Sequence, residues 1–210
     1  MAIVAIELAM ITLWKYIGIT PDAVIGHSLG EFAALCTAGV MSVSTCPYLE
    51  GRRAMLVAEN CAAGTHAMQV VHEGQEYVKK YLVSMPQVGD SDGKDSTAHY
   101  TSQTCGIACI NRAKSTVVSG PSKKVDVSQQ QLTESGVRTS VLKVSFAFHS
   151  SRMDAILNDY ETEAERLSFM APRVPIASAE LGKLVASQGI IDATQANTKA
   201  CKILSSRECP

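Results

Sequence analysis

A chain of 210 residues is long enough for one large domain or two small ones. Apolar residues make up 46% of it, which excludes disorder by composition, and a net charge of -1 with both signs mixed gives no support to nucleic acid or an anionic membrane as partner. Seven scattered cysteines, without a CxxC pair or histidines at zinc spacing, point to buried thiols in a reduced, intracellular and cytoplasmic chain rather than to a disulfide framework or a metal site.

The first stretch, "MAIVAIELAMITLWKYIGI", has no basic region ahead of its apolar run and carries Glu7 and Lys15 inside it, so it is neither a signal peptide nor a membrane span. Ile3, Ile6, Met10, Leu13 and Ile17 recur at helical steps, and Val4, Leu8 and Ile11 widen the stripe. A mostly buried globular helix is expected. It starts without a cap or a leading strand, as if the chain were cut from something longer. "GITPD" then turns, "AVIG" is a strand of four residues at most, and Glu31 to Ala38 is a helix closed by Gly39. "TCPYLEGRRAMLVAEN" is a further helix, with Pro47 in its first turn.

Residues 66–145 change character. "HAMQVV" is a strand, "GQEYVKKYLV" a helix, "GIACINRAKSTVVSG" two strands about a polar turn, "PSKKVDVSQQQLTESG" a helix from Pro121 to Gly136, and "RTSVLKV" a strand. The order β-α-β-β-α-β is that of a ferredoxin-like split βαβ unit. Within it, the polar residues 86–102 are expected to form an exposed loop. From Ser150 a helix is expected through "SRMDAILNDYETEAERLSF", then a strand at "VPIAS". The organisation expected is a core of residues 1–65 and 146–195, a small subdomain of 66–145, and an irregular tail of 196–210.

Gly26, His27, Ser28, Leu29 and Gly30 form a G-x-S-x-G pattern between that short strand and the helix after it. A strand turning sharply into a helix forces the residue at the turn into a strained conformation, and its neighbours must be small where chain passes close by. The serine hydroxyl then stands clear of the sheet. The helix N-terminus and the Leu29 N–H favour negative charge on a tetrahedral intermediate. The competing reading is a tight turn with a surface serine.

A nucleophilic serine needs a base. Of five histidines, His27 adjoins Ser28 and adjacent side chains at such a turn point apart. His66 and His72 flank a strand of the small unit, and His99 lies in the polar loop. His149, in "VSFAFHSSRM", follows a strand and opens a helix in an aromatic setting, which makes it the candidate. No acidic third member is evident, so a backbone carbonyl would orient the imidazole.

Taken together, "PDAVIGHSLGEFAALCTAGVMS", "GRRAML", "GTHAMQVV", "GIACINRAKSTVVSGP" and "FAFHSSRMD" resemble the malonyl-CoA:acyl-carrier-protein transacylase family, most closely the acyltransferase domain of fungal iterative polyketide synthases. The resemblance implies an α/β-hydrolase-like core with an inserted ferredoxin-like subdomain. It implies Ser28 as nucleophile, His149 as general base and Leu29 as an oxyanion donor. It places the arginine that grips the malonyl carboxylate at Arg53, with Arg52 as the fallback; without it, both are read as a solvated helix face. His27, Phe148 and Asn111 are implied as substrate-contacting, Asn111 having a turn asparagine as its alternative.

Leu29 and Phe148 resemble the malonyl-selective members, where a bulky side chain disfavours an extra methyl, a difference of about 1–3 kcal/mol. No permanently bound cofactor is implied: malonyl-CoA is the substrate and the phosphopantetheine arm of an acyl carrier protein the acceptor, with a ketosynthase as neighbouring domain. The family's Gly-Gln-Gly loop, source of a second oxyanion contact, has no counterpart here, nor does "QANTKACKILSSRECP" match the family's later stretch. Losing one oxyanion donor costs about 2.7–4 kcal/mol in the barrier. The alternatives are a serine esterase or thioesterase and a catalytically dead fragment of a synthase.

Overall fold

The computed structural model describes residues 2–85, 104–178 and 182–185. The loop expected at 86–102, with His99, and the tail expected at 196–210 lie outside them. In chain order the elements are α1 (Ala2–Tyr16), β1 (Val24–Ile25), α2 (Gly30–Thr37), α3 (Thr45–Asn60), β2 (His66–Val71), α4 (Gln75–Ser84), β3 (Gly106–Arg112), β4 (Ser115–Pro121), α5 (Ser122–Glu134), β5 (Thr139–Val141), α6 (Asp154–Glu165), β6 (Ile176–Ser178) and β7 (Lys183–Val185). No helix among the described residues is long and apolar enough to cross a membrane.

The chain divides into two units, one of residues up to Asn60 with those from Ile156, the other Cys61–Ala155. The division therefore falls at 60/61 and 155/156 rather than at the expected 65/66 and 145/146. Hydrogen bonds explain the shift. The Gly64 N–H donates to Ser145 O (3.0 Å), the Leu142 N–H to Met68 O (2.8 Å), and the Cys61 thiol to Arg152 O (3.4 Å). These tie the stretch that carries His149 to the second unit.

In the first unit, β1 runs parallel to β6 and β7 antiparallel to it, in the order β1-β6-β7. Phe32, Leu35, Leu49, Leu56, Val57 and Tyr160 are buried, each apolar side chain worth roughly 1.5–3 kcal/mol. α2 ends as expected: Gly39 takes φ +79°, its N–H donates to Cys36 O (3.1 Å) and the Val40 N–H to Leu35 O (2.9 Å). These are the two bonds of a Schellman cap. At the head of α3 the Ser42 hydroxyl accepts the Thr45 N–H at 2.9 Å.

α1 departs from expectation. Val4 and Leu8 are buried, whereas Ile3, Ile6, Met10, Leu13 and Ile17 of the expected stripe are exposed. α1 packs against α2 and α3, and these reach only one side of it. Two smaller departures occur near the end. The expected helix over "SRMDAILNDYETEAERLSF" is a 3₁₀ turn at Ser151–Met153 followed by α6, which stops at Glu165. There the chain turns back: the Met170 N–H donates to Val40 O (2.8 Å) and the Arg173 N–H to Ala38 O (2.7 Å). β7, after Gly182 at φ +59°, had no sequence signal: it is three residues long and two of them are exposed.

The second unit follows the expected order β-α-β-β-α-β. Its sheet runs β3-β4-β2-β5, every pair antiparallel. β2 and β3 thus point the same way on either side of β4. Val71, Val118, Val78 from α4 and Leu132 from α5 form its buried centre, with Tyr81, Leu82 and Ile107 packed against them. α5 starts after Pro121 and ends before Gly136 at φ +77°.

Candidate active site

β1 is two residues long, and the chain leaves it through Gly26 and His27 into Ser28 at φ +54°. Among the described residues only Ser28 and His149 (φ +55°) are non-glycine residues with positive φ. A non-glycine residue held there costs on the order of 1–3 kcal/mol and persists only where surrounding structure enforces it. At Ser28 the enforcement is the start of α2. The Gly30 N–H donates to His27 O (3.0 Å), the Glu31 N–H to Ser28 O (3.1 Å) and the Phe32 N–H to Leu29 O (3.2 Å). Leu29 is already helical, at φ -57° and ψ -31°. Its N–H therefore belongs to the positive end of the helix, beside the serine.

The two glycines of the pattern differ. A Cβ on Gly26 would lie 2.5 Å from both Glu31 N and Gly30 O, so chain does pass close by there. A Cβ on Gly30 would meet only Glu7 Oε1, at 3.8 Å, an ordinary contact. The expectation that both flanks must be small holds for Gly26 and fails for Gly30, because the helix carries residue 30 away from the strand. Gly26→Ala is expected to cost about 1–3 kcal/mol or more by overpacking. Gly30→Ala should be neutral or stabilising by up to about 1 kcal/mol. Urea unfolding of the two variants measures both values.

α3 presents the two candidate arginines to different partners. Arg52 Nη2 lies 2.8 Å from Glu163 Oε1 on α6, and the Tyr48 hydroxyl donates to Glu163 Oε2 at 3.0 Å. The Tyr48 hydroxyl, and after it Arg52, hold the Glu163 carboxyl below its usual range. Arg53 turns towards α2 instead, its Cζ 5.7 Å from the centre of the Phe32 ring. Burial pulls the Arg53 guanidinium below its usual range, while the charges of Tyr160 and Glu50 act the other way. It stays charged, as arginine does in proteins.

His27 is exposed and lines an open hollow of about 840 Å³ bordered by α1, β1 and α2, with Ile6, Met10, Trp14 and Gly26. Ser28, Leu29 and Arg53 are not among the residues lining that hollow.

The other unit carries Phe148, His149 and Asn111. His149 follows a tight bend in which the Phe148 N–H donates to Phe146 O (3.2 Å), and the two rings meet edge-on at 6.2 Å. Ala147 is buried, and the Ser150 hydroxyl donates to Ala147 O at 2.6 Å while accepting the Arg152 N–H at 3.3 Å. Asn111 is exposed at the irregular end of β3, where the pairing with β4 shifts register between Ile110 and Arg112. The structure thus groups Ser28, Leu29, His27 and Arg53 in one unit and Phe148, His149 and Asn111 in the other.

Phe32, Glu163 and Tyr48 were not anticipated. Phe32 had a signal, since it stands four residues after Ser28 in a helix beginning at the serine. Glu163, 111 residues from Arg52, had none.

The chain is similar to known proteins. The family model for the acyl transferase domain matches residues 1–202. A non-reducing polyketide synthase of Cladonia metacorallifera is 46% identical over 193 residues, which cover 92% of this chain and 8% of that protein. The chain therefore spans about a twelfth of the curated relative's length. Among solved structures, the acyltransferase domain from the second module of the salinomycin polyketide synthase is 30% identical, with a TM-score of 0.76 over 99% of this chain and 43% of that one. A malonyl-transacylase solved in complex with a type II polyketide synthase acyl-carrier protein shares the fold, with a TM-score of 0.75 at 22% identity over 98% of this chain and 61% of that one. With an elbow serine at the head of α2 and a family match across nearly its whole length, the chain belongs to the acyl transferase domain family.

Proposed function

We propose that the chain moves a malonyl unit from malonyl-CoA, through an ester on Ser28, to the phosphopantetheine thiol of an acyl carrier protein in polyketide assembly. The observation that carries this reading is the strained Ser28 backbone at the head of α2. In the proposed reaction the His149 imidazole takes the Ser28 proton as Oγ attacks the thioester carbonyl. Negative charge collects on the carbonyl oxygen, where the Leu29 N–H and the end of α2 favour it. The tetrahedral adduct collapses, the C–S bond breaks, and the imidazolium returns its proton to the coenzyme A sulfur. The pantetheine thiol repeats the steps in reverse order, its proton passing to His149 and then to Ser28 Oγ. Every proton is conserved and no permanently bound cofactor enters the balance.

Arg53 supplies selection for a free carboxylate, because a guanidinium grips one with two parallel bonds. Arg52, which pairs with Glu163 on α6, is the fallback. Phe148 is assigned beside the acyl α-carbon, and His27 and Asn111 as lesser substrate contacts. We further read the second unit as a ferredoxin-like insertion in an α/β-hydrolase-like core, on the support of its sheet order. An acyl carrier protein as partner is supported by the structural neighbour solved with one, a setting among other synthase domains by the polyketide synthases among the relatives, and a ketosynthase is assigned as the neighbouring domain. The reaction is assigned to the cytoplasm.

The test incubates the protein with malonyl-CoA with and without a holo carrier protein. The expected result is a malonyl mass increment on the phosphopantetheine arm. Release of free malonate at the same rate in both tubes would make the chain an esterase.

A further inference from the structure

We propose that Phe32 is a positioning residue for malonyl selection, its ring holding the Arg53 guanidinium in the orientation that receives a carboxylate. This rests on the reading of Arg53 as the carboxylate-binding residue. Two observations carry it. The Arg53 Cζ sits 5.7 Å from the Phe32 ring centre, within the range of a cation–π contact. Phe32 is only 2% exposed and stands one turn beyond Ser28, on the helix that the serine heads. The same helix therefore presents both the nucleophile and the surface against which the cation rests.

The chemistry of the two contacts is compatible. A ring attracts the face of a guanidinium, whereas a carboxylate is gripped through the in-plane N–H edge. Burial, which otherwise disfavours a charge, strengthens the ring contact by removing competing water. Arg53 reaches this position across the α2–α3 packing, so an aromatic ring on α2 sets where a long, flexible side chain from α3 ends. Leucine or methionine at position 32 would fill space without a negative face. A phenol would keep the face.

The experiment measures binding, so it needs no turnover. The full chain carrying Ser28→Ala is titrated with malonyl-CoA and with acetyl-CoA, and the ratio of the two dissociation constants is followed. Phe32→Leu is expected to lower the preference for malonyl-CoA about two- to thirtyfold, Phe32→Tyr to retain it, and Phe32→Leu to have no further effect once Arg53→Ala is present. Mono-, di- and trifluorophenylalanine at position 32 withdraw density from the ring with little change of shape. Through that series the preference should fall stepwise while acetyl-CoA binding holds, which a space-filling role would not produce.

A flat fluorination series with a malonyl preference that Arg53→Ala still abolishes overturns the role of Phe32 and leaves the reading of Arg53 standing. If Arg53→Ala leaves the preference unchanged, or the chain binds neither thioester, the reading of Arg53 fails and the inference falls with it.

Discussion

His149→Asn is expected to lower the rate of Ser28 acylation by malonyl-CoA about 10²- to 10⁴-fold, the usual contribution of a positioned general base, if His149 has the role proposed for it. Asparagine is the informative substitution because His149 has φ +55°. Asparagine tolerates that region better than most residues, so the backbone bend survives while the basic nitrogen is lost. His149→Ala removes the base equally but strains the bend, and should unfold more readily by a further few tenths to about 1 kcal/mol. Both variants should still bind malonyl-CoA. Stopped-flow or quenched acylation assays beside thermal melts separate the two effects. Equal acylation rates in His149→Asn and the unaltered chain would remove His149 from the mechanism.

Arg53→Ala is expected to reduce malonyl transfer roughly ten- to a hundredfold or more, because a hydrogen bond to a charged group contributes about 1.5–3 kcal/mol and the substrate carboxylate is left desolvated without a partner. Acetyl-CoA carries no such carboxylate, so its transfer should hold or rise. Arg52→Ala serves as the contrast. It releases Glu163 from an ion pair on α6, a contact between partly exposed groups and worth little, and should leave the malonyl-to-acetyl ratio unchanged. The measurement is kcat/KM for both thioesters in each variant. An equal fall for malonyl and acetyl in Arg53→Ala would make the residue structural. A selective loss in Arg52→Ala alone would move the carboxylate contact one position along α3.

The residues announce most of this architecture because local signals agree with it. Gly39 and Gly136 stop helices at positive φ, Pro47 stands in the first turn of α3, and Pro121 precedes α5. The short apolar runs in "HAMQVV" and "STVVSG" suit strands, β4 being buried at every residue from Thr116 to Gly120, and Val125, Ser128 and Leu132 of α5 recur at helical steps because one face of that helix is buried. The serine turn is legible for the same reason: a short apolar run, a small residue and a helix leave the chain few conformations.

Other features were not legible because distant residues decide them. α1 is apolar on nearly every side, so its period could not say whether Val4 and Leu8 or the Ile3–Ile6–Met10 stripe would meet α2 and α3. Arg52 and Arg53 are adjacent, and contacts from other helices, Glu163 on α6 for one and Phe32 on α2 for the other, distinguish them. The attachment of residues 146–155 to the second unit depends on bonds to Cys61 and its neighbours. The strained backbone of His149 has no local signature in "FAFHSS".

The most direct measurement is the site of acylation. The protein is mixed with isotopically labelled malonyl-CoA, quenched in acid, digested, and each peptide is assayed for label. The expected result is one malonyl ester, on the peptide containing Ser28, labile to hydroxylamine and absent in Ser28→Ala. Label that persists in Ser28→Ala, or that maps to another residue, would contradict the account.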